Sequence, residues 1–144
     1  MTGTELVLLA KEAMGYAYAP YSHCTVGAAL LCASGAVYTG CNIENAGYSA
    51  TNCAERTAFF KAVSEGEREF SAIAVVGGHD GEIDGIFAPC GICRQVMREF
   101  CDPGTFLILL GYRGEDGILT YDEYPLAELL PLGFGPGDVL SEKK

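Results

Sequence analysis

The stretch Pro89-Cys90-Gly91-Ile92-Cys93 begins a predicted helix that follows the buried apolar strand 71–76. A second stretch, Cys53-Ala54-Glu55, begins another predicted helix after a hairpin of two short strands. Each group of cysteines therefore lies at a strand-to-helix junction, and open α/β sheets favour that edge for their functional sites. The two stretches together predict the fold class and the place of the site.

Apolar periodicity predicts the elements around these stretches. A first helix is expected from residue 6 to residue 17, with Thr4 as its cap and Pro20 ending it. The pattern then predicts strands over 26–32 and 37–41, a polar loop over 42–52, a helix over 53–66, a strand over 71–76, a loop over 77–88, a helix from 89 to 102, strands over 105–112 and 118–121, and a short helix over 126–130. This order indicates an α/β fold with three layers, α/β/α, and one mixed sheet of roughly five strands. We expect a single domain over residues 1–144.

Charge and cysteine usage exclude several classes of protein. The net charge is −10, from 19 acidic and 9 basic residues, and polynucleotide binding usually needs a basic surface. The odd number of cysteines, 7, without a recognisable signal peptide indicates reduced thiols in the cytoplasm. The apolar stretch 6–10 is too short for export or for a membrane span. We therefore expect no nucleic-acid partner and no membrane partner.

Three cysteines and one glutamate supply the parts of a catalytic zinc site. Catalytic zinc takes three protein ligands and keeps its fourth position open. Cys90 and Cys93 are three residues apart in a first helical turn, so both sulfurs face one side. Helix N-termini favour the thiolate form that ligation requires. Cys53, Cys90 and Cys93 are predicted to hold one Zn²⁺ per subunit, with Glu55 close enough to move protons without binding the metal.

Two other interpretations of these residues remain open on the sequence. Glu55 could complete a capping box with Asn52, three residues earlier. The zinc site could be purely structural if His79 or Cys101 supplied a fourth ligand.

The charge of three thiolates exceeds the charge of one zinc ion. Arg56 could offset the excess by donating hydrogen bonds to the ligand sulfurs. Arg94 could do the same, and either side chain could instead be a solvated helix arginine.

Five segments of the chain resemble the small, homotetrameric cytidine deaminases that hold zinc with three cysteines: 19–22, 26–31, 40–46, 52–58 and 89–95. The resemblance implies the fold of that family and a homotetramer. It also implies hydrolytic deamination of cytidine and 2′-deoxycytidine to the uridine products in pyrimidine salvage, with Glu55 as the proton shuttle.

The same resemblance implies a set of substrate contacts. Asn42 and Glu44 would bind the ribose hydroxyls, and the backbone of Ala54 would contact the base. Ala46 and Tyr48 would reach a neighbouring subunit's site, and Phe134 would stack near the base. Tyr48 and Phe134 also fit the description of ordinary packing residues.

One departure from the family pattern concerns the base. The family often has an aromatic residue after Pro-Tyr-Ser-x, where this chain has Cys24. Loss of that ring would remove about 1–3 kcal/mol of base stacking.

Rival functions are consistent with parts of the same pattern. One is a deaminase of another cytosine-containing small molecule, such as a nucleoside antibiotic. Another is a non-catalytic, zinc-stabilised binding module. A polynucleotide deaminase is disfavoured by the acidic charge.

Overall fold

The computed structural model describes residues 1–140, so the last four residues of the predicted domain 1–144 lie outside it. The strands are β1 Cys24–Cys32, β2 Val37–Cys41, β3 Phe70–His79, β4 Glu82–Gly85, β5 Leu107–Arg113 and β6 Leu119–Pro125. The helices are α1 Gly3–Met14, α2 Ala54–Ser64, α3 Gly91–Phe100, α4 Leu126–Leu129 and α5 Pro136–Val139. In the part of the chain that is described, no helix is both long enough and apolar enough to cross a membrane.

The strands form one mixed sheet in the order β2-β1-β3-β5-β6, and β4 pairs with β3 outside this path. Of the strand pairs in residues 1–140, β3 and β5 alone run parallel, and α3 lies in the connection between them. The other pairs are antiparallel. The expected mixed sheet is therefore confirmed, with β4 as a sixth strand beyond the five that the sequence predicts.

Both faces of the central strands are buried, which explains why these strands have continuous apolar sequences. On β3, Ile73 and Val75 pack in the cluster that contains α2 and α3, whereas Ala74 and Val76 pack against α1. This alternation follows from the two-residue period of a strand. The result is the predicted three-layer arrangement, with α1 on one face and the helices of the site on the other.

A glycine on β2 sets the position of α2. A Cβ atom at Gly40 would lie 2.5 Å from the carbonyl oxygen of Ala54 and 2.6 Å from the amide nitrogen of Ala58. The first turn of α2 therefore lies directly on the β2 backbone. The close approach also fixes the helix turn that begins with Cys53.

Three local predictions were wrong. Thr2, not Thr4, caps α1, because Thr2 and Glu5 form a reciprocal capping box. The helix ends at Met14, before Gly15, and does not continue to the residue that precedes Pro20. The predicted loop 77–88 contains the hairpin of β3 and β4, and α5 was not predicted.

Candidate active site

The N-termini of α2 and α3 bring three cysteine sulfurs together. Cys53 is the N-cap of α2, Cys90 is the N-cap of α3, and Cys93 lies in the first turn of α3. The Cys53 and Cys90 sulfurs are 3.7 Å apart, and those of Cys90 and Cys93 are 3.5 Å apart. All three sulfurs lie within 4.8 Å of one another. The helix ends thus direct their partial positive charge at one cluster of thiols.

These spacings fit a tetrahedral zinc ion. Three sulfurs at about 2.3 Å from one zinc ion would be about 3.8 Å apart. Among residues 1–140, no fourth histidine, cysteine or carboxylate belongs to this cluster. Three protein ligands with one open position are the donor set of a catalytic zinc site.

The two residues considered as a fourth ligand have other surroundings. The His79 ring contacts Asp84 and Cys24. Cys101 is buried in the core, and burial raises the pKa of its thiol to about 12. Neither residue is therefore placed to serve as the fourth ligand of a structural zinc site.

Arg56 supplies a positive charge to the sulfur cluster. Its guanidinium Nη2 donates to the Cys53 sulfur at 3.2 Å. The pKa of Cys53 is lowered to about 5, first by a hydrogen bond from Cys93 and then by Arg56, while burial opposes the shift. With one guanidinium, the charge of zinc and three thiolates sums to zero.

Arg94 does not share this role. It donates through Nε to the carbonyl of Pro89 at 2.7 Å and through Nη1 to the carbonyl of Leu129 at 2.6 Å. It thereby ties the start of α3 to the end of α4.

Glu55 lies in the first turn of α2 and is only 4% exposed. Burial raises the pKa of its carboxyl to about 7; the nearby Cys53 thiolate adds to the rise, and the backbone amide and Arg56 oppose it. The capping interpretation does not hold, because Cys53 is the N-cap and the Asn52 amide donates to the Thr57 hydroxyl. A carboxyl that titrates near neutral pH is suited to accept and donate protons.

A cavity of about 210 Å³ joins Cys53 and Cys90 to Glu55. Its lining residues are Val26, Asn42, Thr51, Asn52, Cys53, Ala54, Glu55, Phe87, Ala88 and Cys90. A larger cavity, of about 360 Å³ between α1 and β2, contains none of these residues. Of the predicted substrate residues, the cavity at the cysteines takes in Asn42 and Ala54.

Phe87 is the one aromatic side chain among these lining residues, and it was not predicted from the sequence. It sits over β3, since a Cβ at Gly77 would lie 2.5 Å from its Cγ. Val26, Thr51, Asn52 and Ala88 were also missed as lining residues. The sequence does contain a signal for Phe87: a glycine at position 77 and an aromatic residue shortly before Pro89. This signal places Phe87 over Gly77 only if the pairing of β3 with β4 is already known.

Asn42 and Glu44 are held by hydrogen bonds to the chain around β1. The Asn42 amide donates to the Cys24 carbonyl at 2.7 Å and accepts from the Val26 amide at 2.9 Å. The Glu44 carboxylate accepts from both backbone amides of Tyr21 and Ser22 and from the Ser22 hydroxyl. These hydrogen bonds lower the pKa of Glu44, and the bond from the Ser22 hydroxyl contributes most. Burial acts in the opposite direction.

Four predicted contact residues do not line this cavity: Glu44, which is held at Tyr21 and Ser22, and Ala46, Tyr48 and Phe134. Tyr48, in a 3-10 turn, is 82% exposed, and Ala46 is also exposed. Phe134 is 60% exposed and lines a different cavity, with Gln95 donating to its carbonyl oxygen. The exposure of Ala46 and Tyr48 is compatible with the predicted contacts to a neighbouring subunit's site.

Comparison with known proteins agrees with this site. Residues 2–108 match the family described as the cytidine and deoxycytidylate deaminase zinc-binding region. The chain belongs to this family. A cytidine deaminase from Sporosarcina psychrophila is 48% identical over 135 residues, which cover 94% of this chain and 93% of that protein. One from Mycobacterium tuberculosis is 37% identical over 137 residues, covering 94% of this chain and 91% of that protein.

A solved member of the family has the same fold. The crystal structure of cytidine deaminase from Burkholderia pseudomallei superposes with a TM-score of 0.80 at 48% identity, covering 93% of this chain and 100% of that one. The zinc-binding family and the three clustered thiols agree on a site for one zinc ion.

Proposed function

We propose that this protein catalyses the hydrolytic deamination of cytidine and 2′-deoxycytidine to uridine and 2′-deoxyuridine, with release of ammonia. The observation that carries the proposal is the 210 Å³ cavity in which two thiols of the three-sulfur cluster, Cys53 and Cys90, meet the buried Glu55. Family membership and near full-length similarity to cytidine deaminases support it.

Cys53, Cys90 and Cys93 would hold the zinc ion, and Arg56 would balance its ligand charge. Zinc, when bound there, lowers the pKa of a water molecule and so supplies a nucleophile at neutral pH. Glu55 takes a proton from the attacking water and delivers it to N3 of the cytosine base. It then passes a proton to the departing ammonia, and one positioned carboxyl is worth about 10²- to 10⁴-fold in rate.

Binding of the nucleoside is assigned to the residues around β1. The Asn42 amide and the Glu44 carboxylate still have free hydrogen-bonding capacity beyond the bonds that position them, which two ribose hydroxyls would use. A carboxylate at this place would repel a phosphate, so we propose nucleosides rather than nucleotides as substrates. The backbone of Ala54 would contact the base.

Phe87 is proposed as the aromatic wall of the base pocket. The chain has Cys24 where the family often has an aromatic residue, and Phe87 reaches the cavity from the loop before α3. A face of Phe87 against the base would restore about 1–3 kcal/mol of stacking.

The assembly and setting are part of the same proposal. Exposed Tyr48 and Phe134 would contact the sites of neighbouring subunits in a homotetramer. Seven unpaired cysteines favour the reducing cytoplasm, where the reaction serves pyrimidine salvage.

A panel of substrates tests the proposal. The zinc-loaded protein is mixed with cytidine, 2′-deoxycytidine, cytidine monophosphate, a cytosine-containing nucleoside antibiotic and single-stranded DNA, while cytosine absorbance and ammonia are followed. We expect turnover of the two nucleosides, with little of the nucleotide and none of the DNA. Turnover of the antibiotic alone favours the rival deaminase, and bound zinc without any turnover favours a binding module.

A further inference from the structure

A second cluster of reactive groups lies at the rim of the sheet, beside the zinc cavity. The sulfur of Cys24 is 3.4 Å from Nε2 of His79, and Nδ1 of the same ring is 2.7 Å from Oδ2 of Asp84. Strand register builds this arrangement, because Cys24 on β1 lies directly opposite His79 on β3. Asp84 reaches the ring from β4, the next strand.

The geometry indicates a proton relay. The thiol and the carboxylate contact different nitrogens of one ring, so they do not converge on a point where one ion could bind both. In the neutral ring, an Nδ1–H that donates to Asp84 leaves Nε2 as an acceptor that faces the thiol. A thiol, a base and an orienting carboxylate in this order are the arrangement of an activated nucleophile.

The other thiols that do not belong to the zinc site lack such a partner or are closed to solvent. Cys32 and Cys101 are buried, and burial raises the pKa of these thiols to about 11 and about 12. Cys41 is half-buried like Cys24, but burial raises its pKa as well. By contrast, the side chains of His79 and Asp84 are 55% and 44% exposed, so small reagents can reach the relay.

We propose that Cys24 is a reactive thiol that exchanges with small disulfides. His79 takes the thiol proton at Nε2, and the Cys24 thiolate attacks one sulfur of the disulfide. The original S–S bond breaks as the new one forms, and the departing thiolate takes the proton back from His79. One disulfide is consumed and one mixed disulfide is made, so no other oxidant is needed.

An adduct on Cys24 would reach the zinc cavity. Side chains two residues apart on a strand share a face, so Cys24 lies beside Val26, which lines the cavity. The His79 ring also meets the edge of Phe87, with ring centroids 6.3 Å apart. Modification of Cys24 is therefore expected to lower deamination, a consequence that rests on the proposed function.

The reactivity itself is tested on the zinc-loaded protein with dithiobis-nitrobenzoate, a coloured aryl disulfide. Mass spectrometry of peptides gives the modification rate of each cysteine. Free thiols are only a few per cent ionised at pH 7, so we expect Cys24 to react about tenfold faster than the internal control Cys41. His79→Asn should remove most of this advantage, and Asp84→Asn part of it.

His23→Asn is the matched control. His23 pairs with Asp80 at 3.2 Å and adjoins Cys24 in sequence, but its φ of 61° is one that asparagine tolerates. The rate at Cys24 should stay within about twofold in this variant. Equal rates at Cys24 and Cys41, or equal effects of His79→Asn and His23→Asn, overturn the proposal. Labelling of the buried Cys32 shows whether a variant has unfolded. If His79→Asn has unfolded, the test rests on Asp84→Asn, in which an unchanged rate at Cys24 overturns the proposal.

A second measurement separates the consequence from the reactivity. The wild-type protein is modified until Cys24 is fully converted, with zinc content checked, and its deaminase rate is compared before and after reduction. A reversible loss that Cys24→Ser does not show supports the link to the cavity. Modification without loss of activity refutes that link and leaves the reactive thiol established, whereas absence of deamination before modification refutes the proposed function.

Discussion

The guanidinium of Arg56 lies 3.2 Å from the sulfur of Cys53, three residues earlier on the same helix start. One turn of α2 therefore carries a zinc ligand, the proposed proton shuttle Glu55 and the charge that balances the thiolates. Because Gly40 lets this turn lie on β2, the sheet fixes all three groups at once.

Arg56→Ala should weaken zinc binding. Loss of a partner that hydrogen-bonds a metal ligand typically costs about 10- to 100-fold in affinity or activity, and here the uncompensated thiolate charge adds to the loss. Competition with a chromogenic chelator measures the affinity. Arg113→Ala, which removes a side chain that donates to the Gly117 carbonyl, is the control. Unchanged metal affinity and kinetics in Arg56→Ala would show that another group balances the charge.

Glu44→Ala should lower kcat/KM for cytidine by about 10- to 100-fold, because charged hydrogen bonds to the ribose are lost. Free cytosine as substrate is the control, since it has no sugar. Ser22→Ala keeps the carboxylate and removes only the hydroxyl that supports it, so its effect should be smaller. An equal loss with cytosine and cytidine would mean that Glu44 only holds the chain around Ser22 in place.

Phe87→Ala should raise KM for cytidine, because stacking on the base is worth about 1–3 kcal/mol. Steady-state kinetics on the zinc-loaded protein measure the change, with Phe87→Leu expected to lie between. Ile86→Ala removes the exposed neighbouring side chain and serves as the matched control. If Phe87→Ala and Ile86→Ala behave alike, Phe87 is a packing residue and no wall of the base pocket.

Gly40→Ala should reduce both stability and zinc retention. The added methyl group would overlap the backbone of α2 at 2.5 Å, and overpacking of this kind costs about 1–3 kcal/mol. Gly91→Ala meets no atom within 4 Å, so its free energy of unfolding should rise by about 0.4–1 kcal/mol. Urea denaturation measures the free energy of unfolding of both variants. If Gly40→Ala leaves this free energy unchanged, α2 can shift away from β2 without loss of stability.

Local sequence patterns were enough to predict much of the fold. Apolar runs with a strand period and two helix starts were enough to predict the layers, and cysteine spacing was enough to predict the sulfur cluster. The order of the strands was beyond this reasoning, because it depends on contacts between residues far apart in the chain.

The hairpin of β3 and β4 was missed although its turn is visible in the sequence. Asp80 and Gly81 both have positive φ, 50° and 86°, as a type I′ hairpin turn requires. The flanking glycines and acids were interpreted as a loop. Without β4, the contact of Asp84 with His79 was hidden, and so was the position of Phe87 over Gly77.

The roles predicted for Ala46, Tyr48 and Phe134 cannot be checked in a single chain. One chain places them away from its own cavity, so their roles depend on how copies assemble. Sedimentation of the zinc-loaded protein tests this: a tetramer is expected, and a monomer that deaminates cytidine at full rate would contradict the predicted contacts.

Deamination in the zinc-loaded cavity depends most directly on Glu55 as the proton shuttle. Glu55→Gln keeps the size of the side chain and removes its ability to exchange a proton. We predict that this variant binds as much zinc as the wild type, while kcat for cytidine falls by about 10²- to 10⁴-fold. Loss of cytosine absorbance at the wild-type rate by Glu55→Gln would contradict this role of Glu55 and the proposed mechanism.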